Sequence, residues 1–193
     1  MASFDKTLPD VLAHEGGYVD DPDDRGGETY KGVARCYNAD WAGWKTIDRA
    51  RKRRGFPKNL ERDAALQRQV RDFYKQHYWD KFQGDAIPEQ ALADELFDTA
   101  VNLGVARAVT FLQRALNVLN RNATLYADLV EDGAFGQRSL AAVAAYLKQD
   151  KVADLLKVLN ILQGMHYIEF MTKSPVQEKY ARGWLKRVKI AVA

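Results

Sequence analysis

Residues 15–29 read Glu-Gly-Gly-Tyr-Val-Asp-Asp-Pro-Asp-Asp-Arg-Gly-Gly-Glu-Thr and interrupt a chain whose pattern is otherwise helical. Upstream, Phe4, Leu8, Val11 and Leu12 recur at helical spacing, which predicts a helix within residues 3–15 that Gly16-Gly17 stops. Pro9 fits if that helix starts near Thr7, because first-turn N–H groups are unpaired anyway. Downstream, residues 18–33 carry Pro22, Gly26, Gly27 and Gly32 without a helical period. They read as loop with at most a short β-hairpin.

Working outward, apolar periodicity predicts helices at about 46–54, 60–80 and 89–103, with Pro88 opening the third and Gly104 closing it. Leu66, Val70, Phe73 and Tyr74 share one face of the second. Val105, Ala108, Val109, Leu112, Ala115, Leu116 and Leu119 form the clearest apolar stripe, over 105–120. After the Asp132-Gly133 turn, further helices are expected at about 137–148, 151–172 and, past Ser174-Pro175, 176–190. The class is mainly α. A short joint near 82–90 separates residues 1–85 from 86–193, and its lack of linker composition predicts that the two halves pack as one unit.

Composition bounds the rest. At 193 residues, 47% of them apolar, the chain can bury a core, and its single cysteine, Cys36, excludes an internal disulfide. Cys36 has no Cys or His at ligand spacing and is expected to be a small buried hydrophobe. No stretch approaches the roughly 18 consecutive apolar residues of a membrane span. The N-terminus has no apolar signal core, so synthesis in the cytoplasm without a classical signal peptide is expected. Between Lys45 and Lys58, seven basic residues face one acidic residue, Asp48. That run is either a solvated helix face or an attractor for polyanions.

The chemistry concentrates in the opening stretch. Glu15 ends the first helix, where the macrodipole disfavours a carboxylate, and partial burial beside Val11, Leu12 and Tyr18 would act the same way. Both raise its pKa, as a general acid requires. Asp20, Asp21, Asp23 and Asp24 lie in a loop stiffened by Pro22, where an ionised aspartate can activate water or stabilise an oxocarbenium-like transition state. Their order does not match an EF-hand. Thr29 either holds the nucleophilic water or caps a local turn, and Glu28 beside it is a second acidic candidate. His14, His77 and His166 have no metal-ligand spacing, so neither a metal nor a cofactor is expected. Asp98 and Asn102, four apart on one helix face, either line a glycan groove or make helix-packing hydrogen bonds. Tyr18, Tyr30, Tyr78, Trp79 and Trp184 are the candidate sugar-stacking rings, with Tyr30 preferred for its place beside Thr29.

Taken in order, Glu15-Gly-Gly-Tyr-Val, Asp24-Arg-Gly-Gly-Glu-Thr29 and Gly32-Val33 resemble the N-terminal signature of glycoside hydrolase family 108, which comprises bacterial and phage-type N-acetylmuramidases. Tyr78-Trp79, Phe97-Asp98-Thr-Ala-Val-Asn102-Leu-Gly104, Leu112-Gln113, Asp132-Gly133-Ala-Phe-Gly136 and Gly183-Trp184 resemble the helical peptidoglycan-binding region usually joined to it. The resemblance implies a lysozyme-like helical fold, with cleavage of the β-1,4 bond between N-acetylmuramic acid and N-acetylglucosamine. It places the catalytic glutamate at Glu15, the aspartate at Asp24 and the threonine at Thr29. Arg25 and Asp23 depart from the family pattern, where proline and a small residue are common. The implied partner is peptidoglycan, reached after release through a holin or by export, with a monomer expected. A lytic transglycosylase, or a wall-binding or nucleic-acid-binding module using the basic run, are the competing readings.

Overall fold

The computed structural model describes residues 1–13, 15–21 and 27–189. It is mainly α, with one small three-stranded antiparallel sheet, and divides into two compact units, Phe4–His77 and Met1–Ser3 with Tyr78–Ala193.

The N-terminal unit holds α1 (Phe4–Leu12), β1 (Tyr18–Val19), β2 (Thr29–Tyr30), β3 (Val33–Ala34), α2 (Gly43–Arg51) and α3 (Ala64–His77). Helix α1 starts at Phe4 rather than near Thr7, so Pro9 lies inside it. The N–H that proline lacks would have bonded the Asp5 carbonyl, one turn earlier. Phe4, Leu8 and Val11 are buried all the same, and their apolar face outweighs that single missing bond. Helix α3 starts where Asp63 accepts the N–H groups of Ala65 and Leu66, each at 3.0 Å. Such a cap is worth ~1 kcal/mol. Leu66, Val70, Phe73 and Tyr74 are buried along one face, as their spacing predicts.

The short hairpin expected within 18–33 is present and is extended by a third strand. Tyr18 pairs with Tyr30 and Val19 with Thr29, and β2 pairs onward with β3 through Thr29–Ala34 and Tyr30–Val33. Each strand is two residues long, too short to show alternation in sequence. Cys36, expected inside, is exposed just beyond β3. Apolarity alone placed it in the core, but the ladder's end carries it outward.

The C-terminal unit is built on α4 (Gln90–Leu103), α5 (Val105–Val118), α6 (Gln137–Gln149) and α7 (Val152–Lys173). Helices α4 and α5 are joined by Gly104 alone, at φ +88°, which an L-residue adopts only with strain. Ala108, Val109, Leu112, Ala115 and Leu116 of the α5 stripe are fully buried, with Leu96, Phe97 and Ala100 of α4 and Leu155 and Leu159 of α7 also in the core. Each buried leucine contributes ~2 kcal/mol relative to exposure.

The expected final helix over 176–190 does not form as one element. A 3-10 segment (Pro175–Tyr180) leads to a one-turn α8 (Ala181–Leu185), and the chain then runs irregularly through Lys189. Aromatic packing fixes this end instead: the Trp184 ring stacks on Tyr167 at 5.5 Å and lies 5.8 Å from Phe170. Among the described residues no helix is long and apolar enough to cross a membrane.

Candidate active site

Glu15 follows α1 by one turn, its N–H donating to the Leu12 carbonyl at 3.3 Å, and is half-buried. Its carboxyl group lies against Gly32 in the β2–β3 turn. A Cβ placed on Gly32 would come 2.7 Å from Glu15 Oε2 and 2.4 Å from the Tyr74 hydroxyl. Gly32 adopts φ +77°, so both its conformation and its lack of a side chain are needed there. The hydroxyl of the buried Tyr74 donates to the Lys31 carbonyl at 2.9 Å, which ties α3 to the same turn. Gly32 therefore forms a backbone floor beneath one carboxylate and one phenol.

A second layer holds this turn. Lys31 Nζ pairs with Glu61 at 2.8 Å and donates to Gln67 Oε1 at 2.8 Å. Gln67 Nε2 donates to the Tyr30 hydroxyl and to the Leu60 carbonyl, both at 2.9 Å. Tyr30 has no exposed surface, and burial, followed by the nearby Glu61 charge, pushes its hydroxyl up to about 12. This corrects its assignment as a sugar-stacking ring. Its face is covered by the core and its hydroxyl serves the Gln67–Glu61 layer. Trp79 is likewise fully buried, and Tyr78 meets Phe97 edge-on at 6.5 Å.

Thr29 stands on β2, half-buried, with its hydroxyl donating to the Gly27 carbonyl at 3.2 Å, the local-turn arrangement. Glu28, the adjacent acid, turns onto two guanidinium groups: Arg35 at 2.8 Å and Arg51 at 2.6 Å. Arg35 also makes a two-pronged contact with Asp48, 2.8 Å on each side, and that hydrogen bonding holds the Asp48 carboxyl below its ordinary range. The Tyr18 hydroxyl bonds Glu28 at 3.1 Å, and burial, followed by that bond, pushes its pKa well up. Arg51, drawn from the basic run, is thus committed to the sheet, whereas Lys52, Arg53 and Arg54 are exposed. Asp24 and His14 lie outside the described residues.

Asp98 and Asn102 meet a partner that sequence spacing does not show. Arg187, from the chain's end, pairs with Asp98 at 2.5 Å. With its amide oxygen turned to Arg187, Asn102 accepts from Nε at 2.5 Å and from Nη1 at 3.3 Å. Both side chains are engaged inside their own unit, as helix-packing residues are. One turn earlier, Glu95 is 4% exposed, and burial pushes its carboxyl up to about 7.

Sequence reasoning missed Tyr74, the Lys31–Glu61–Gln67 layer and the Arg35–Asp48 fork. Gly32 was legible as part of a motif but not as a floor. The fork joins residues 13 apart across a turn and has no sequence signature.

None of the curated proteins matches the chain. Among solved structures, Brucella abortus SagA matches at 26% identity and a TM-score of 0.62, covering 96% of this chain and 88% of that one. Residues 107–189 match a family described as a predicted peptidoglycan domain. The glycosyl hydrolase 108 model spans residues 8–104, half of the chain and the whole Glu15–Gly32–Tyr74 arrangement, so the chain belongs to that family of glycoside hydrolases, here joined to a peptidoglycan domain.

Proposed function

We propose that this peptidoglycan hydrolase is an N-acetylmuramidase, cleaving the β-1,4 bond between N-acetylmuramic acid and N-acetylglucosamine with Glu15 as general acid. The observation that carries it is the seat of Glu15: a half-buried carboxyl just past the end of α1, against a side-chain-free turn, with the Tyr74 hydroxyl alongside. A backbone floor lets a sugar approach more closely than any side chain would. The other glutamate of the same stretch, Glu28, has both oxygens on arginines, which suits it to hold the sheet in place.

Glu15 protonates the departing glycosidic oxygen, a step worth about 10²–10⁴-fold. Asp24 stabilises the positive charge growing on the ring or, with Thr29, directs water to the anomeric carbon. A carboxyl separation of about 6.5–9.5 Å gives inversion and about 5–5.5 Å gives retention. The enzyme reaches the wall by export or by release through a holin, as in a phage or prophage endolysin. Gene neighbourhood tests that last point.

Digestion of purified peptidoglycan, followed by mass spectrometry, tests the chemistry. Products ending in reducing N-acetylmuramic acid support it. 1,6-Anhydro ends would assign a lytic transglycosylase, and intact polymer that still binds the protein would leave only a wall-binding module.

A further inference from the structure

The N-terminal unit carries a cavity of about 540 Å³, formed by residues 37–42 and by α3. On α3, Gln67 and Tyr74 reach the turn at Tyr30 and Lys31, and their spacing puts them on one face. Gln69, Asp72, Phe73 and Gln76 line the cavity. At about 100° per residue, these four point roughly half a turn away from the Gln67–Tyr74 face. The cavity and the Gly32 floor therefore lie on different sides of the same helix.

The main ring of the cavity is fixed before any ligand arrives. Trp41 donates its indole N–H to the Gln69 carbonyl at 3.3 Å. Its ring meets Trp44 edge-on at 5.2 Å and Phe73 at 6.1 Å. A Cβ on Gly43 would come 2.3 Å from the indole, so the ring rests on bare backbone at the start of α2. Trp41 is nonetheless only half-buried, and its remaining surface faces the cavity. Tyr37 lines the same cavity at 79% exposure, which leaves a second ring open to a ligand.

Polar groups complete the lining. Asp40, Asp72 and Gln76 are exposed and offer acceptor oxygens, while no lysine or arginine is among the described residues that line the cavity. Two carboxylates without a lining base disfavour an anion. Exposed carboxylates are also screened by water, which makes them a poor cage for a cation. They remain good acceptors for hydroxyl groups. A fixed aromatic plate with acceptors and no base describes a site for a neutral, hydroxyl-rich ring, its C–H face on the indole and its hydroxyls donating to the acceptors.

We propose that this cavity binds an N-acetylglucosamine unit of a glycan strand, with the sugar on Trp41 and Tyr37 and its hydroxyls on Asp40, Asp72 and Gln76. This rests on the peptidoglycan reading and deepens it, since N-acetylglucosamine is the neutral sugar of that polymer and N-acetylmuramic acid carries the lactyl arm and its peptide. The catalytic unit thus holds glycan at a place apart from the Glu15 seat.

Titration of full-length, isotope-labelled protein with N,N′,N″-triacetylchitotriose tests the assignment by NMR. Shifts are expected at the Trp41 indole N–H and at the backbone amides of 38–42 and 69–76. Tyr37→Ala and Asp72→Ala, both at exposed positions, should each weaken the affinity read at these signals by about tenfold. If a variant fails to fold, the comparison of probes on the unaltered protein still decides: tetramethylammonium at the same concentration should leave the signals in place. No shift of them at tens of millimolar trisaccharide, shifts confined to 15–32, equal shifts with tetramethylammonium, or unchanged affinity in both folded variants would each overturn the assignment. Peptidoglycan cleavage is followed on the same preparation. Cleavage to reducing N-acetylmuramic acid without cavity shifts removes this site and spares the Glu15 chemistry, whereas cavity shifts without cleavage do the reverse.

Discussion

Gly32→Ala places one methyl group between the two side chains that define the candidate active site. That methyl would lie 2.4 Å from the Tyr74 hydroxyl and 2.7 Å from Glu15 Oε2, so at least one of them must move by about an ångström, given contact distances of about 3.5 Å. An L-residue at φ +77° costs ~1–2 kcal/mol by itself. Losing the Tyr74–Lys31 hydrogen bond adds ~1 kcal/mol, for a total of ~2–3 kcal/mol of stability. A displacement of that size at a reacting group lowers turnover by about 10²-fold. Urea unfolding and turbidity clearing of purified peptidoglycan read the two effects separately. Adding Tyr74→Phe removes the closer contact but recovers neither the φ cost nor the hydrogen bond, so stability should fall little further and activity should stay low, because the Glu15 contact remains. A Gly32→Ala protein that clears peptidoglycan at the wild-type rate would refute the placement of Glu15 on this floor.

Further expectations concern the C-terminal unit. Glu95 is buried, and its pKa of about 7 lies above the ordinary 4.5, so between those values the folded protein keeps a proton that the unfolded chain has released. Stability should therefore fall as pH rises from about 4.5 to 7, by ~3 kcal/mol in all. Glu95→Gln should flatten this slope in urea unfolding at pH 5 and pH 8, and parallel slopes for the two proteins would exclude Glu95 as its source. Gln113 bonds Asp132 at 2.8 Å, the Ala134 carbonyl at 3.1 Å and the Gly133 N–H at 2.9 Å. Gln113→Leu should cost ~2–4 kcal/mol, and an unchanged thermal midpoint would contradict that role.

Much of this architecture is legible in the sequence, for a physical reason. Helix periodicity recurs over several turns, so the α3 face from Leu66 to Tyr74 and the α5 stripe from Ala108 to Leu116 are each specified repeatedly. The sheet is not, since two-residue strands carry no period and are defined by pairing alone. Aromatic type likewise gives no direction: Tyr30 sits in the motif-bearing segment yet turns into the core, where its hydroxyl meets Gln67, itself held by the Leu60 carbonyl. Arg187 meets Asp98 across 89 residues, a contact only the folded chain reveals. The same limit hid Tyr74. Nothing in a helix stripe distinguishes the aromatic that fills the core from the one whose hydroxyl also reaches the Lys31 carbonyl.

The central claim is that Glu15 delivers the proton to the glycosidic oxygen. It is tested most directly by the rate at which Glu15→Gln releases reducing ends from purified peptidoglycan, set against the unaltered enzyme. Glutamine keeps the shape and cannot supply the acidic proton, so the rate should drop by about 10²–10⁴-fold while the protein stays folded. Release at the wild-type rate would contradict the account.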